Sequence, residues 1–268
     1  MGAFSGEWNL IVRAKMTMIQ MPIDSEKYFY HFTKSETALI YILPNLSLKL
    51  TNYLKSNDPK ENKTFGFWSI YESCDEFKLK EIKENFEIFL RKNCKHLCFS
   101  MDYQNPQSEI WVNGFDHPTM WAHYGDNSKG ICLAINKEIF LKENPELIHD
   151  RVSYEENFNF PQIDEYQWTD KKDDYFKEYL KENSKLLFFR KHKHWEVEHE
   201  YKFIEIGHRD YCTIKTSLSG IYLGLDFDFS QLNLLRQILP EGKWIEKVGV
   251  WEGRFMSNNV DMYNTNNN

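Results

Sequence analysis

The sequence lacks the glycine-rich signatures by which many nucleotide enzymes hold phosphate. Its 12 glycines form no G-x-G-x-x-G after a strand and no Walker A loop, so Rossmann dinucleotide and P-loop NTPase readings have no support. G-x-S-x-G and H-E-x-x-H are missing as well, which removes several further enzyme classes. No apolar run approaches the roughly 18 residues of a membrane-spanning helix, and no secretory leader pattern opens the chain. The five cysteines (Cys74, Cys94, Cys98, Cys132, Cys212) are odd in number and widely spread, unlike a disulfide framework. A reduced, soluble, cytoplasmic protein without membrane association is expected. Cys94 and Cys98 flank His96, but no second Cys/His pair stands at zinc-ligand spacing, so no metal is expected. Cys98 and Cys132 lie in apolar strands and read as core thiols.

Basic excess is also missing. With 33 Lys and Arg against 40 Asp and Glu the net charge is −7, so attraction to nucleic acid is not a global property of the chain. Arg190-Lys191-His192-Lys193-His194 is the densest basic run and reads as a solvated helix end or a local patch. There is no internal repeat and no Gly/Ser/Pro linker. The expected organisation is one ligand-binding or catalytic-like domain over residues 27–256, after an extension at 1–26 and before a polar tail at 257–268.

What is abundant is aromatic surface. Phe, Tyr and Trp make up 16 % of the chain, enough both to fill a core and to offer stacking faces to a planar ligand. Tyr28 to His31 reads as a strand, followed by Thr33-Lys34-Ser35-Glu36 as a capping box in which Thr33 caps and Glu36 reaches back. An apolar helix stripe (Leu39, Ile40, Leu43) then runs to Pro44-Asn45, and Leu46, Leu48 and Leu50 alternate as a strand. Residues 76–92 form the cleanest amphipathic helix, with Leu79, Ile82, Phe86 and Phe89 on one side. A short helix starts at Pro118, and a long one covers 170–189. Strands are expected at 96–100, 130–135, 201–206, 221–225 and 245–251, with a helix at 229–239. Strands interspersed with helices, without regular βαβ repetition, indicate an α+β fold of mixed or antiparallel sheets with flanking helices.

Three segments carry candidate chemistry. His31 ends a strand, where a neutral imidazole can hold a ribose hydroxyl or exchange a proton; it can equally be a hydrogen-bonded structural histidine. Met120-Trp121-Ala122-His123-Tyr124 concentrates rings, and Trp121 and Tyr124 at i and i+3 share a helix face that could stack a base or pack the core. Glu198, Glu200 and Lys202 alternate along 195–202. Read as a strand, this segment points all three side chains one way, either into a polar cleft or as a solvated charge ladder. One carboxylate could then stabilise an oxocarbenium-like transition state and the other orient it or act as base.

Seven segments together resemble a known family. They are Tyr-His-Phe-Thr at 30–33, Ser-Asn-Asp-Pro-Lys-Glu at 56–61, Cys-Phe-Ser at 98–100, Met-Trp-Ala-His-Tyr-Gly at 120–125, Lys-Gly-Ile-Cys-Leu at 129–133, Trp-x-x-Glu-x-Glu-x-Lys at 195–202 and Ile-Tyr-Leu-Gly at 221–224. In that order, over roughly residues 28–250, they resemble the bacterial domain-of-unknown-function family 2971. The sequence departs from that pattern at Lys202, where the family usually has arginine, and at Ser56, where a phenylalanine often precedes Asn-Asp-Pro. A lysine cannot grip phosphate in the two-point fashion of a guanidinium. A more distant likeness is to ADP-ribosyltransferases, including nucleic-acid-modifying toxins and the tRNA 2′-phosphotransferase group. That likeness implies a split sheet, NAD as substrate, and a nucleic-acid or protein acceptor, in a toxin or phage-defence setting. It implies that His31 holds the nicotinamide ribose, that Tyr124 stacks the nicotinamide, and that Glu200 or Glu198 stabilises the oxocarbenium; Thr33, Trp121, His123 and Lys202 join as binding residues. Two alternatives stay open. One is a nucleotide-binding module without turnover, and the other a metal-independent nuclease using His31 and His123.

Overall fold

The computed structural model describes residues 26–56, 58, 68–69, 75–105, 111–157, 159, 161–163, 172–251 and 254–260. Cys74, most of the 56–61 segment, residues 1–25 of the expected extension and 261–268 of the expected tail lie outside the described residues.

Tyr28-Phe29-Tyr30-His31-Phe32-Thr33 is almost wholly aromatic or β-branched, a composition that favours extended backbone. It forms β1 (Tyr28–Thr33), in the interior of a nine-stranded sheet. The other strands are β2 (Thr51–Asn52), β3 (Cys94–Met101), β4 (Ile131–Asn136), β5 (Ile148–Arg151), β6 (Glu200–Ile206), β7 (Leu218–Leu223), β8 (Trp244–Trp251) and β9 (Arg254–Asn259). They lie in the order β9-β8-β7-β4-β1-β3-β6-β5, with β2 beside β3. Neighbours run antiparallel except the parallel pair β7 and β8. Helices complete the α+β architecture: α1 over 35–45, α2 (Glu76–Asn93), α3 (Pro118–His123), α4 (Lys137–Glu143), α5 (Lys172–Glu182), α6 (Ser184–Phe188) and α7 (Leu232–Ile238). No helix among the described residues is long and apolar enough to cross a membrane.

The two-residue alternation of the strands divides the core. Phe29, Phe99, Leu133 and Phe203 join one apolar cluster, while Tyr30, Cys132, Ala134 and Tyr222 join another with Trp121. A third cluster holds Phe86 of α2, Phe176 of α5 and Phe188 of α6 against Ile204 of β6. α2 is anchored as its sequence implies. Asp75 caps it through the backbone N–H groups of Phe77 and Lys78, and Ile82, Phe86, Phe89 and Leu90 are its buried side.

Several local expectations are corrected. Thr33 is the last residue of β1 and caps nothing; Lys34 stands at the helix N-cap without a side-chain cap bond. α1 widens to a π-helix over Ala38–Ile42 and continues through Pro44 to Asn45, ending at left-handed Leu46. The expected 170–189 helix is two helices, α5 and α6, interrupted at Asn183. The basic run is no solvated helix end: Arg190–His192 is a strand paired in parallel with Ser153–Glu155, and Arg190 and Lys191 are buried. Residues 195–202 are not one strand. Lys193–Glu198 is a 3-10 helix, His199 turns left-handed at φ 42°, and extended backbone resumes at Glu200. Ser257–Asn259 of the expected tail stand in β9, and Glu26 of the expected extension is ion-paired to Arg151 at 2.5 Å.

β1 meets its two neighbours unequally. It pairs with β4 over six positions, but with β3 only at Phe29↔Met101 and Tyr30↔Ser100. Beyond Tyr30 the two strands part.

Candidate functional site

A cavity of about 590 Å³ opens where β1 and β3 separate, within the range of small-molecule sites. Residues 30–33 line one side of the opening and residues 96–100 the other, with Met120, Tyr124, Lys191, Glu198 and Glu200 around it.

His31 spans the gap. Its Nδ1 lies 3.3 Å from the Cys98 carbonyl oxygen, where a regular ladder would place a backbone amide. A carbonyl oxygen only accepts, so Nδ1 carries the proton and Nε2 keeps its lone pair. Burial lowers the imidazole pKa, and the bond to Cys98 only partly opposes this, so the ring is neutral at pH 7.

The acidic end is built from three elements. Glu198 closes the 3-10 helix, Glu200 begins β6, and the strand Arg190–His192 brings Lys191 between them. The Tyr124 hydroxyl donates to Glu198 Oε1 at 2.8 Å, and Lys191 Nζ donates to Glu198 Oε2 at 2.8 Å. Lys191 also forms an ion pair with Glu200, and Lys202 Nζ lies 3.3 Å from Glu200 Oε1. The Ser100 hydroxyl donates to the Glu198 carbonyl oxygen at 3.0 Å and ties the turn to β3. Burial works to raise the Glu200 pKa, but Lys191 and Lys202 outweigh it and hold the carboxyl well below the usual carboxylate range. Cys98 is not the core thiol expected from sequence, since it lines the cavity beside Glu200. Burial and the Glu200 charge push its pKa up, so it stays a thiol. Cys132 is fully buried.

The fold therefore brings His31, Thr33, Tyr124, Glu198 and Glu200 to one cavity. It does not bring Trp121 or His123 there. Trp121 is fully buried, with Nε1 donating to the Phe115 carbonyl at 2.8 Å and its ring edge-on to Phe32. His123 is exposed on α3 and does not line the cavity, so the acid–base pair of the nuclease reading is not assembled. Lys202 is fully buried and acts on the site through Glu200. Lys191 was missed by sequence reasoning. The signal for it was electrostatic: two carboxylates entering a cleft need more counter-charge than Lys202 alone supplies. Among the described residues, no group of three or more His, Cys, Asp and Glu is arranged to hold a metal ion.

Comparison with curated proteins and with solved structures gives no match. Comparison with family models gives a match that begins within α3, covers β4 and both site carboxylates and ends within β6. Residues 120–203 match the model of the family described as Protein of unknown function (DUF2971), and over that segment the chain is similar to this family.

Proposed function

We propose that the cleft binds a nucleotide-type small molecule and acts on NAD as an ADP-ribosyltransferase-like enzyme, passing ADP-ribose to a nucleic-acid or protein acceptor. The observation that carries this reading is the meeting of His31, Tyr124, Glu198 and Glu200 on one cavity between parting strands. In this reading His31 Nε2 accepts a hydrogen bond from a ribose hydroxyl, and the Tyr124 ring lies against the nicotinamide. The two glutamates face the ribose as positive charge develops at C1′. The C1′–N bond breaks and its electron pair leaves with nicotinamide. The acceptor nucleophile then bonds C1′ and gives up its proton. Glu198, fixed by Tyr124 and Lys191, is the candidate for stabilising the oxocarbenium; Glu200 is the supporting charge.

Purified full-length protein incubated with labelled NAD and a panel of acceptors is expected to release nicotinamide, and Glu198→Gln to lower that rate roughly 100-fold or more. An absence of release, together with no heat of NAD binding, would remove the reading. The cytotoxic or phage-defence setting belongs to the same proposal: toxicity on expression should disappear in Glu198→Gln.

One observation favours the second reading, a nucleotide-binding module without turnover. Lys191 touches both carboxylates, and a cation so placed opposes positive charge at the same point. NAD binding that persists in Glu200→Gln, while no product forms with any acceptor, selects that reading.

A further inference from the structure

The lining of the cavity differs in charge from the molecule around it. The chain carries −7 overall, yet the cavity is lined by three lysines (Lys49, Lys55, Lys191) and two glutamates (Glu198, Glu200), with Lys202 directly behind. Lys191 is committed to the glutamates. Lys49 and Lys55 are not: both are exposed, and neither forms an ion pair with a carboxylate among the described residues. Asp210, whose carboxylate feels the charge of Lys49, is already ion-paired to Lys95 at 2.9 Å.

The backbone gives these groups a common direction. Along 47–51 the burial alternates: Leu48 and Leu50 are 1 % and 2 % exposed and belong to the main core cluster, while Ser47, Lys49 and Thr51 turn outward and line the cavity. The strand Ser47–Lys49 is held by antiparallel pairing with Tyr211–Thr213, which sets Tyr211 opposite Lys49, and Tyr211 also lines the cavity. Lys55 and Ser56 extend the same wall. One wall thus offers the ammoniums of Lys49 and Lys55 with the hydroxyls of Ser47 and Thr51, facing a cavity whose lining glutamates are ion-paired to Lys191 and Lys202.

We propose that the wall formed by Ser47, Lys49, Thr51 and Lys55 is a phosphate-binding subsite that selects phosphorylated nucleotides over nucleosides. The assignment rests on the nucleotide reading of the cleft and deepens it by naming the groups that hold the ligand's phosphate. Lysine ammoniums act there as point charges and the hydroxyls as neutral donors, a combination suited to phosphate esters.

Calorimetry of the full-length protein with inorganic pyrophosphate, ADP and adenosine tests this. ADP and pyrophosphate are expected to bind and to compete with each other, with adenosine at least roughly tenfold weaker than ADP. The double variant Lys49→Gln/Lys55→Gln should lose about tenfold or more in ADP affinity while its affinity for adenosine stays unchanged. Lys215→Gln removes an exposed charge that does not line the cavity and should leave ADP binding intact. Equal affinity for ADP and adenosine, unchanged ADP binding in the double variant, or no binding of ADP and pyrophosphate would each overturn the subsite. The two proposals fail separately. ADP binding that depends on Lys49 and Lys55 without nicotinamide release removes the transferase and supports the wall. Nicotinamide release with unchanged KM in the double variant removes the wall and keeps the transferase.

Discussion

Lys191 decides the electrostatics of the cleft, because a single buried ammonium sits between Glu198 and Glu200. Removing one partner of a buried ion pair leaves the others uncompensated, at a cost of about 3–5 kcal/mol. Lys191→Met should lower unfolding stability by that order in denaturant titration, and a change under about 1 kcal/mol would show the cluster to be solvated. Sequence reasoning identified both acids and did not find their partner, because Lys191 lies in a basic run that resembles surface. A second residue-scale device is centred on His199, which lies between Glu198 and Glu200 in the sequence. His199 stacks on Tyr103 at 3.6 Å between centroids, with His117 5.4 Å away. Burial lowers the pKa of His117 from 6.5 to about 3, helped by His199. Burial likewise lowers that of His199 from 6.5 to about 4, helped by Arg151. Below pH 6.5 the unfolded chain therefore takes up protons that the folded chain refuses. Stability present at neutral pH is then lost as pH falls from 6.5 toward 4. We expect Tm to drop steadily across this window. His199→Asn, which tolerates the left-handed backbone, should flatten the slope; an unaltered slope would assign the pH dependence elsewhere.

At the scale of elements, the end of β1 is the critical edge of the site. Gly130, just before β4, has room for no side chain: an added Cβ would lie 2.2 Å from the Thr33 carbonyl oxygen and 2.8 Å from that of Gly125. Both are backbone atoms, so Gly130→Ala must displace β1 where it lines the cavity. A loss of about 1–3 kcal/mol in denaturant unfolding is expected, together with weaker ligand binding by calorimetry. Retention of both would mean that the strand end yields without consequence. Strong periodic elements were legible beforehand: α2 from its apolar stripe, β1 and β3 from their composition, α3 from Pro118. The segment 195–202 shows where periodicity fails. Alternating charges read as a strand, but a 3-10 turn followed by left-handed His199 delivers Glu198 to the same cavity as strand residue Glu200. Period alone does not separate those two routes.

For the whole molecule, the sheet is what joins distant parts of the sequence. Glu200 stands opposite Ser100, and Ser100 opposite Tyr30, so three segments far apart in the chain meet across two strand pairings. Such pairings leave no local trace, which is why the α+β class was legible and the strand order was not. Phe203 packs against Phe29, Phe99 and Phe140 at the centre of the largest apolar cluster. Phe203→Ala should cost about 3–5 kcal/mol in denaturant unfolding, and a much smaller loss would place the main stabilising contacts elsewhere. The imidazole bridge from His31 to the Cys98 carbonyl carries a further consequence. A guest molecule that draws on the far nitrogen of that ring also pulls on the seam between two strands. Occupancy of the cleft should therefore be audible in the scaffold, as slowed amide hydrogen exchange along β1 and β3, even when no chemistry takes place.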